Sequence, residues 1–246
     1  PKDFLILGEV LHGDPGYVAP YTRQGKFDTV FDFPMYFTMT DVFARGQSMR
    51  KLGERLGHDR AYGEPELLSP FLDNHDVPRF LSTAGGDERK LRLAMAFLFT
   101  MRGIPTMYYG TEVGMTGAHE PDNREDMKWG SNPSLTSYTR TLMHLRHELA
   151  PLRRGKQLEM WQDDDVYGYS RLAGKDEVIV MLNNSDKPQT RLVPLRHESA
   201  LQDGTVLGNR LGQETITVQQ RQIKVTLGPK QAQVLAVKSG GARKRR

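Results

Sequence analysis

The sequence predicts an α/β unit followed by an all-β unit, and three observations predict it. Over residues 1–155 short apolar runs alternate with longer segments of helical period. After Gly155 the chain changes to short alternating segments broken by Asn, Asp, Gly and Pro turns. Residues 239–246 then form a basic run behind Ser239, Gly240 and Gly241. Strand–helix alternation argues for parallel strands joined by crossovers, and alternating segments with tight turns argue for an antiparallel sheet. The expected division is therefore 1–155, 156–238 and a solvated tail, 239–246, to which no function is given.

The apolar runs fall at residues 4–10, 29–33, 67–72 and 104–109, with helical candidates at 36–56, 87–102 and 137–149. Asp41, Arg45, Lys51 and Arg55 mark the polar side of the first candidate. Each apolar run leads into a loop with ionisable residues, such as Glu9 with His12, or Asn74 with His75 and Asp76. That is where a (β/α)8 barrel places its chemistry. Four such strands are visible where a complete barrel needs eight, so the chain either closes otherwise or holds the second half of one. Downstream, strands are expected from Leu158 and at 166–172, 177–183, 189–194, 214–218, 222–227 and 233–237, with turns such as Asn183-Asn184-Ser185-Asp186. They compose a small antiparallel β domain.

Composition excludes several classes. The 246 residues contain no Cys, which removes a disulfide scaffold, a Cys-ligated metal and a cysteine nucleophile. The net charge of +4 equals the contribution of Arg243, Lys244, Arg245 and Arg246, so the body is neutral and no nucleic-acid partner is expected. The most apolar stretch, 91–101, is interrupted by Arg92 and Thr100 and falls far short of the roughly 20 residues of a membrane span. No membrane partner is expected either. The chain opens on Pro1 and an apolar run without a leader, as if within a domain, so nothing follows about compartment.

Two strand ends carry candidate chemistry. Glu9 follows the first apolar run; a carboxyl desolvated there would titrate high and serve as a general acid, the alternative being a carboxylate that caps its loop. Asn74-His75-Asp76 follows the third. Imidazole beside carboxylate can hold vicinal sugar hydroxyls, and an ionised Asp can stabilise an oxocarbenium-like transition state; the alternative is a turn that satisfies its own backbone. His144 and His147 lie three apart on the last helical candidate with no third ligand in view, and no metal is assigned.

The order of the pieces is more specific than any one of them. Gly8-Glu9-Val10-Leu11-His12-Gly13-Asp14-Pro15, then Phe71-Leu72-Asp73-Asn74-His75-Asp76-Val77-Pro78-Arg79-Phe80, then Gly103-Ile104-Pro105-Thr106-Met107-Tyr108-Tyr109-Gly110-Thr111-Glu112, then Glu120-Pro121-Asp122-Asn123-Arg124 closely resemble the α-amylase superfamily, glycoside hydrolase family 13. The resemblance implies the second half of a (β/α)8 barrel followed by a β-sandwich domain. It also implies a retaining hydrolase of α-1,4-linked, starch-like glucans or maltooligosaccharides. Glu9 matches the proton donor and Asp76 the transition-state stabiliser, paired with the sugar-binding His75. Arg79 matches the motif arginine just beyond them, which either holds the loop or touches sugar. Glu120 and Arg124 match the pair that holds glucose toward the non-reducing end, although the family more often has Asp at the first place. His12 stands in a loop bordering the leaving-group side, and Tyr17, Tyr21 and Trp129 either stack on sugar or pack.

The family's nucleophilic Asp would precede Pro1. A retaining mechanism needs two carboxyl groups about 5 Å apart, and this chain supplies the acid alone, so by itself it is expected to be inactive. Acetal hydrolysis implies no cofactor here; calcium, where relatives use it, is held in the other barrel half. A half barrel has two open strand edges, which a partner or duplicate chain would cover. Alternatives are a neopullulanase or cyclomaltodextrinase, whose members commonly carry Trp where this chain has Leu11, and a non-catalytic glucan-binding or assembly protein.

Overall fold

The structure is a computed structural model that describes residues 4–25 and 27–238; the basic run 239–246 lies outside the described residues. β1 (Leu7–Gly8) and β2 (Thr29–Val30) pair in parallel, Leu7 opposite Thr29. The ladder continues past them. Ser69 N donates to Val30 O at 3.0 Å and Asp32 N to Ser69 O at 2.9 Å; Ile104 N donates to Leu68 O at 2.8 Å and Thr106 N to Pro70 O at 2.9 Å. Four extended segments thus lie side by side in chain order and run the same way. The last two are shorter than the apolar runs at 67–72 and 104–109, because Pro70 and Pro105 have no N–H to give.

Helices connect and cover these segments: α1 (Pro15–Val18), α2 (Phe33–Met39), α3 (Arg50–Gly57), α4 (Phe80–Thr83), α5 (Glu88–Thr100), α6 (Pro133–Glu148) and α7 (Ala150–Arg154). The single helix expected over 36–56 is broken. A π-helical turn, Thr40–Ala44, follows α2, and Gly46 takes φ +72°, where the missing Cβ removes the steric cost of the left-handed region. Met49 N then donates to Asp164 O at 3.0 Å, far along the chain, instead of continuing the helix. α6 starts ahead of the expected residue 137 because the Asn132 side chain accepts from Leu135 N at 3.0 Å and Pro133 occupies the first turn.

Antiparallel strands follow: β3 (Lys156–Gln162), β4 (Val166–Ala173), β5 (Asp176–Asn183), β6 (Gln189–Pro194), β7 (Val206–Asn209), β8 (Thr215–Thr217), β9 (Gln222–Leu227) and β10 (Ala232–Val237). Six form a sheet in the order β3-β4-β5-β10-β7-β8, and β6 pairs with β9 in a separate ribbon. β7 escaped sequence reading, since Gly208 and Asn209 look like turn residues. On β5, Val178, Val180 and Leu182 join a core with Phe97 of α5 and Tyr167 and Tyr169 of β4. Its alternate residues, Ile179 and Met181, join a second core with Val193 of β6 and Ile223 and Val225 of β9. The period of two therefore divides side chains between two apolar layers, which buries β5 on both faces.

Beneath the parallel segments lies a buried ion network. Asp32, at the end of β2, caps α2 by accepting from Met35 N at 3.1 Å, and it also accepts from Arg55 at 3.0 Å and Arg102 at 2.6 Å. Arg102 reaches Asp59 through two further bonds of 2.6 and 2.8 Å, and Arg55 reaches it at 3.1 Å. Arg55, expected on a solvated face, is buried because it turns inward to these carboxylates. Burial disfavours the Asp32 charge, but the Arg102 and Arg55 guanidinium groups outweigh it and hold the carboxyl below its usual range.

Removing one partner leaves the others charged and buried, so Asp32→Ala is expected to cost about 3–5 kcal/mol in urea unfolding. Since the folded carboxyl titrates below its unfolded value near ~4, its contribution is present above that pH and lost as pH falls through the folded value. The acid limb of stability against pH is therefore steeper in the parent than in Asp32→Ala. Equal acid limbs would refute the assignment.

Candidate active site

Because the extended segments are parallel, the residues that follow them emerge at one edge of the sheet. Glu9 follows β1, Asn74-His75-Asp76 follows the segment around Ser69, and the stretch from Tyr108 follows the segment around Thr106. Direct contacts gather four of the expected residues. Asp76 Oδ1 lies 3.3 Å from His75 Nε2 and accepts from Arg124 at 3.1 Å. Arg124 also donates through Nε to the His75 carbonyl at 3.0 Å and pairs with Glu120. His75, Asp76, Glu120 and Arg124 are all exposed, so this carboxylate, imidazole and guanidinium present themselves to solvent as one polar surface.

Of the two roles expected for Arg79, its position fits holding the loop. The side chain is 0% exposed and therefore cannot touch a sugar. Its Nε donates to Asn123 O at 3.0 Å, another nitrogen donates to Tyr109 O, and the guanidinium lies 4.1 Å and 4.8 Å from the ring centroids of Tyr108 and Tyr109. Its backbone N donates to Gly117 O at 2.8 Å. Arg79 is a positioning residue: it ties the 74–79 loop to the loop bearing Glu120 and Arg124.

Two further residues complete this scaffold without having been singled out in the sequence. Asn123 is buried, and its carboxamide donates to the carbonyls of His75 at 3.0 Å and Val77 at 3.2 Å. Asp73, also buried, accepts from Phe80 N at 2.9 Å and Thr111 Oγ1 at 2.7 Å. Burial pushes its carboxyl up, and the two hydrogen bonds only partly oppose that. Both stand inside the quoted motifs, where an Asn or Asp in a polar stretch reads as an ordinary turn residue.

Glu9 and His12 make no hydrogen bond or ion pair with that cluster among the described residues. Glu9 is exposed, so the expected desolvation is not found. The reason is the strand that carries it: β1 pairs with β2 alone among the described residues, and its flanking Phe4, Leu5 and Ile6 are exposed, Phe4 at 71%. His12 accepts from Asp14 N through Nδ1 at 3.1 Å and stacks on Tyr17. Trp129 stands 84% exposed on the loop beyond Arg124. His144 and His147 line an open cleft of about 660 Å³ beside Met107 and Glu112, apart from the four-residue cluster. No group of three metal-ligating side chains occurs among the described residues.

The chain is similar to several known proteins. The family model "Alpha amylase, catalytic domain" matches residues 1–186. The chain is 41% identical to a beta/alpha-amylase of Paenibacillus polymyxa over 251 aligned residues, covering 95% of this chain and 21% of that protein. It is 34% identical to neopullulanase 2 of Thermoactinomyces vulgaris, covering 95% of this chain and 40% of that protein. The solved structure of an Anoxybacillus alpha-amylase superposes with a TM-score of 0.88 at 34% identity, covering 97% of this chain and 54% of that one. The chain thus spans less than half of the two curated relatives and about half of the solved structure.

The scaffold predicts the behaviour of Arg79. In Arg79→Lys an ammonium cannot bridge two carbonyls and cover two rings together, and about 2 kcal/mol of stability should be lost. Amide hydrogen exchange should then quicken in residues 117–125 ahead of the antiparallel sheets. Exchange that quickens equally throughout would assign Arg79 to the core at large.

Proposed function

Since this chain belongs to the α-amylase catalytic-domain family, we propose that it is the second half of a (β/α)8 barrel, residues 1–155, with a β-sandwich domain over 156–238. In this reading it forms part of a retaining hydrolase of α-1,4-glucosidic bonds in starch-like glucans or maltooligosaccharides. The four parallel segments are four consecutive barrel strands, and the free edge of β1 and the cleft beside Met107 are where the barrel's other strands continue it. The single observation that carries the assignment is the Asp76 carboxylate, held by Arg124 at 3.1 Å and His75 at 3.3 Å at the same sheet edge from which Glu9 emerges.

The chemistry follows from those positions. His75 and Asp76 grip hydroxyls of the glucose unit at the scissile bond, and fixed negative charge on Asp76 favours the positive charge that develops at its anomeric carbon. Glu9 gives its proton to the glycosidic oxygen as the leaving sugar departs, while an aspartate outside this chain attacks the anomeric carbon. The Glu9 carboxylate then takes a proton from water, whose oxygen displaces that aspartate and regenerates both groups. Exposure of Glu9 here leaves its desolvation to the other barrel half and to substrate, and the chain alone is inactive. Glu120 and Arg124 hold glucose toward the non-reducing end.

Replacing Glu9 by Gln in the protein that contains this chain is expected to cut release of reducing ends from soluble starch about a thousandfold, while retention on immobilised amylose persists. Near-parental turnover would remove Glu9 from the mechanism, and retention without turnover in the parent would favour the non-catalytic glucan-binding reading. A neopullulanase or cyclomaltodextrinase is the second reading, favoured by the 34% identity to neopullulanase 2 and weighed against by Leu11. Preference for soluble starch over pullulan and cyclodextrins is the outcome expected of an α-amylase, and the reverse order would select the alternative.

A further inference from the structure

One buried carboxylate beneath the candidate site takes no part in the proposed chemistry. Asp73 is 3% exposed, and both of its oxygens take neutral donors: Oδ2 accepts from Phe80 N at 2.9 Å and Oδ1 from Thr111 Oγ1 at 2.7 Å. Leu72, Met95, Leu98 and Met107 line the small enclosed space beside it. Burying a carboxyl among apolar side chains is unfavourable, and an ordinary turn can be built without one. Its role is therefore to be read from what it joins.

Phe80 opens α4, and Arg79 before it gives no side-chain cap, so Asp73 supplies the acceptor from seven residues upstream. That bond makes residues 74–79 a loop whose two ends are pinned by one side chain. Thr111 opens the turn that follows the next parallel segment and is 2% exposed, so the same carboxylate also ties this loop to its neighbour. Inside the loop Asn74 Oδ1 accepts from Asp76 N at 2.9 Å, which passes the constraint on to Asp76.

Two sets of contacts thus hold Asp76, and they differ in strength. Its outward partners His75 and Arg124 have side chains 50% and 42% exposed, and ion pairs in water fix geometry weakly. Substrate hydroxyls also compete for the same atoms. The inward set lies away from water, where hydrogen bonds to a charged acceptor are strong and directional. The inward set therefore decides where the carboxylate stands.

We propose that Asp73 is a positioning residue: by clasping Phe80 N and Thr111 it sets the 74–79 loop so that Asp76 meets the anomeric carbon. This inference rests on the glycosidase reading above. The task needs shape and hydrogen bonds rather than charge, since a carboxamide in the same place accepts from Phe80 N through its oxygen and donates to Thr111 Oγ1.

The test measures kcat and KM on maltoheptaose with the protein that contains this chain. Asp73→Ala should lower kcat about a hundredfold, as a group misplaced by about 1 Å does, with KM within about threefold of the parent. Asp73→Asn should keep kcat within about threefold of the parent, a rescue that separates position from charge. Thr111→Val, which keeps the side-chain shape and removes the hydroxyl, should lower kcat about tenfold and add nothing to the loss in Asp73→Ala. Parental kcat in Asp73→Ala with a lower unfolding temperature is the mark of a merely structural role and overturns the proposal. An equal loss of kcat in Asp73→Asn also overturns it, by assigning the effect to charge. Should Asp73→Ala lack the circular dichroism of the folded parent, Thr111→Val decides, and parental kcat there overturns the clasp. A parent protein that leaves maltoheptaose uncut overturns the glycosidase reading, and the positioning role with it.

Discussion

Arg102 is the side chain on which the described arrangement turns. It is 2% exposed, it binds Asp32 at the end of β2 and Asp59 after α3, and its backbone N donates to the Gln157 side chain of β3 at 2.7 Å. Parallel strands cannot be joined by tight turns, so their relative positions depend on what the crossovers pack against. Here a buried guanidinium between two carboxylates ties one strand end to the helical crossover and to the first antiparallel strand. Isolated buried charges are costly, and this set is tolerable because each carboxylate and guanidinium has charged partners at hydrogen-bond distance. Its geometric demand is strict, and that strictness carries the register of β2 to the other elements.

The same logic, with carbonyls in place of carboxylates, operates at the candidate site. Arg79 binds the backbone carbonyls of Asn123 and Tyr109 and lies over two tyrosine rings, and Asn123 binds the carbonyls of His75 and Val77. These bonds cross between loops that follow different strands. Asp76 and Arg124 are consequently brought together by buried groups behind them. A carboxylate held this way needs little reorganisation when charge develops opposite it, which is the form of electrostatic preorganisation that lowers a barrier.

Much of this was legible in the sequence, for identifiable reasons. The parallel segments showed because apolar runs bounded by polar loops repeat, and α5 because Asp87 precedes a long apolar stretch that only Arg92 and Thr100 interrupt. The helix expected over 36–56 failed because a periodic pattern does not reveal that Gly46 ends a helix and that Met49 bonds Asp164. β7 failed because Gly208 and Asn209 have turn chemistry, and tertiary pairing with β10 overrode it. Candidate site residues were picked out by their motifs, but not their depth. Arg79 and Arg55 look like any charged residue in a string, and only the fold shows that one is enclosed by tyrosines and the other by aspartates.

The two loops that would meet at a scissile bond are held by different means, and the difference bears on how such a site works. Behind Asp76 stand a buried arginine, a buried asparagine and a buried aspartate, all hydrogen-bonded. Behind Glu9 stand Phe27 packed on Gly8 and a short capped helix, with β1 bonded along one edge among the described residues. A group that stabilises developing positive charge gains from being fixed and ionised throughout the reaction. An acid that must give up a proton and later take one gains from an environment that changes as substrate and neighbouring strands exclude water. Rigid support for Asp76 and a solvent-facing Glu9 are thus consistent with one division of labour, in which this chain preorganises the charge and its surroundings complete the acid.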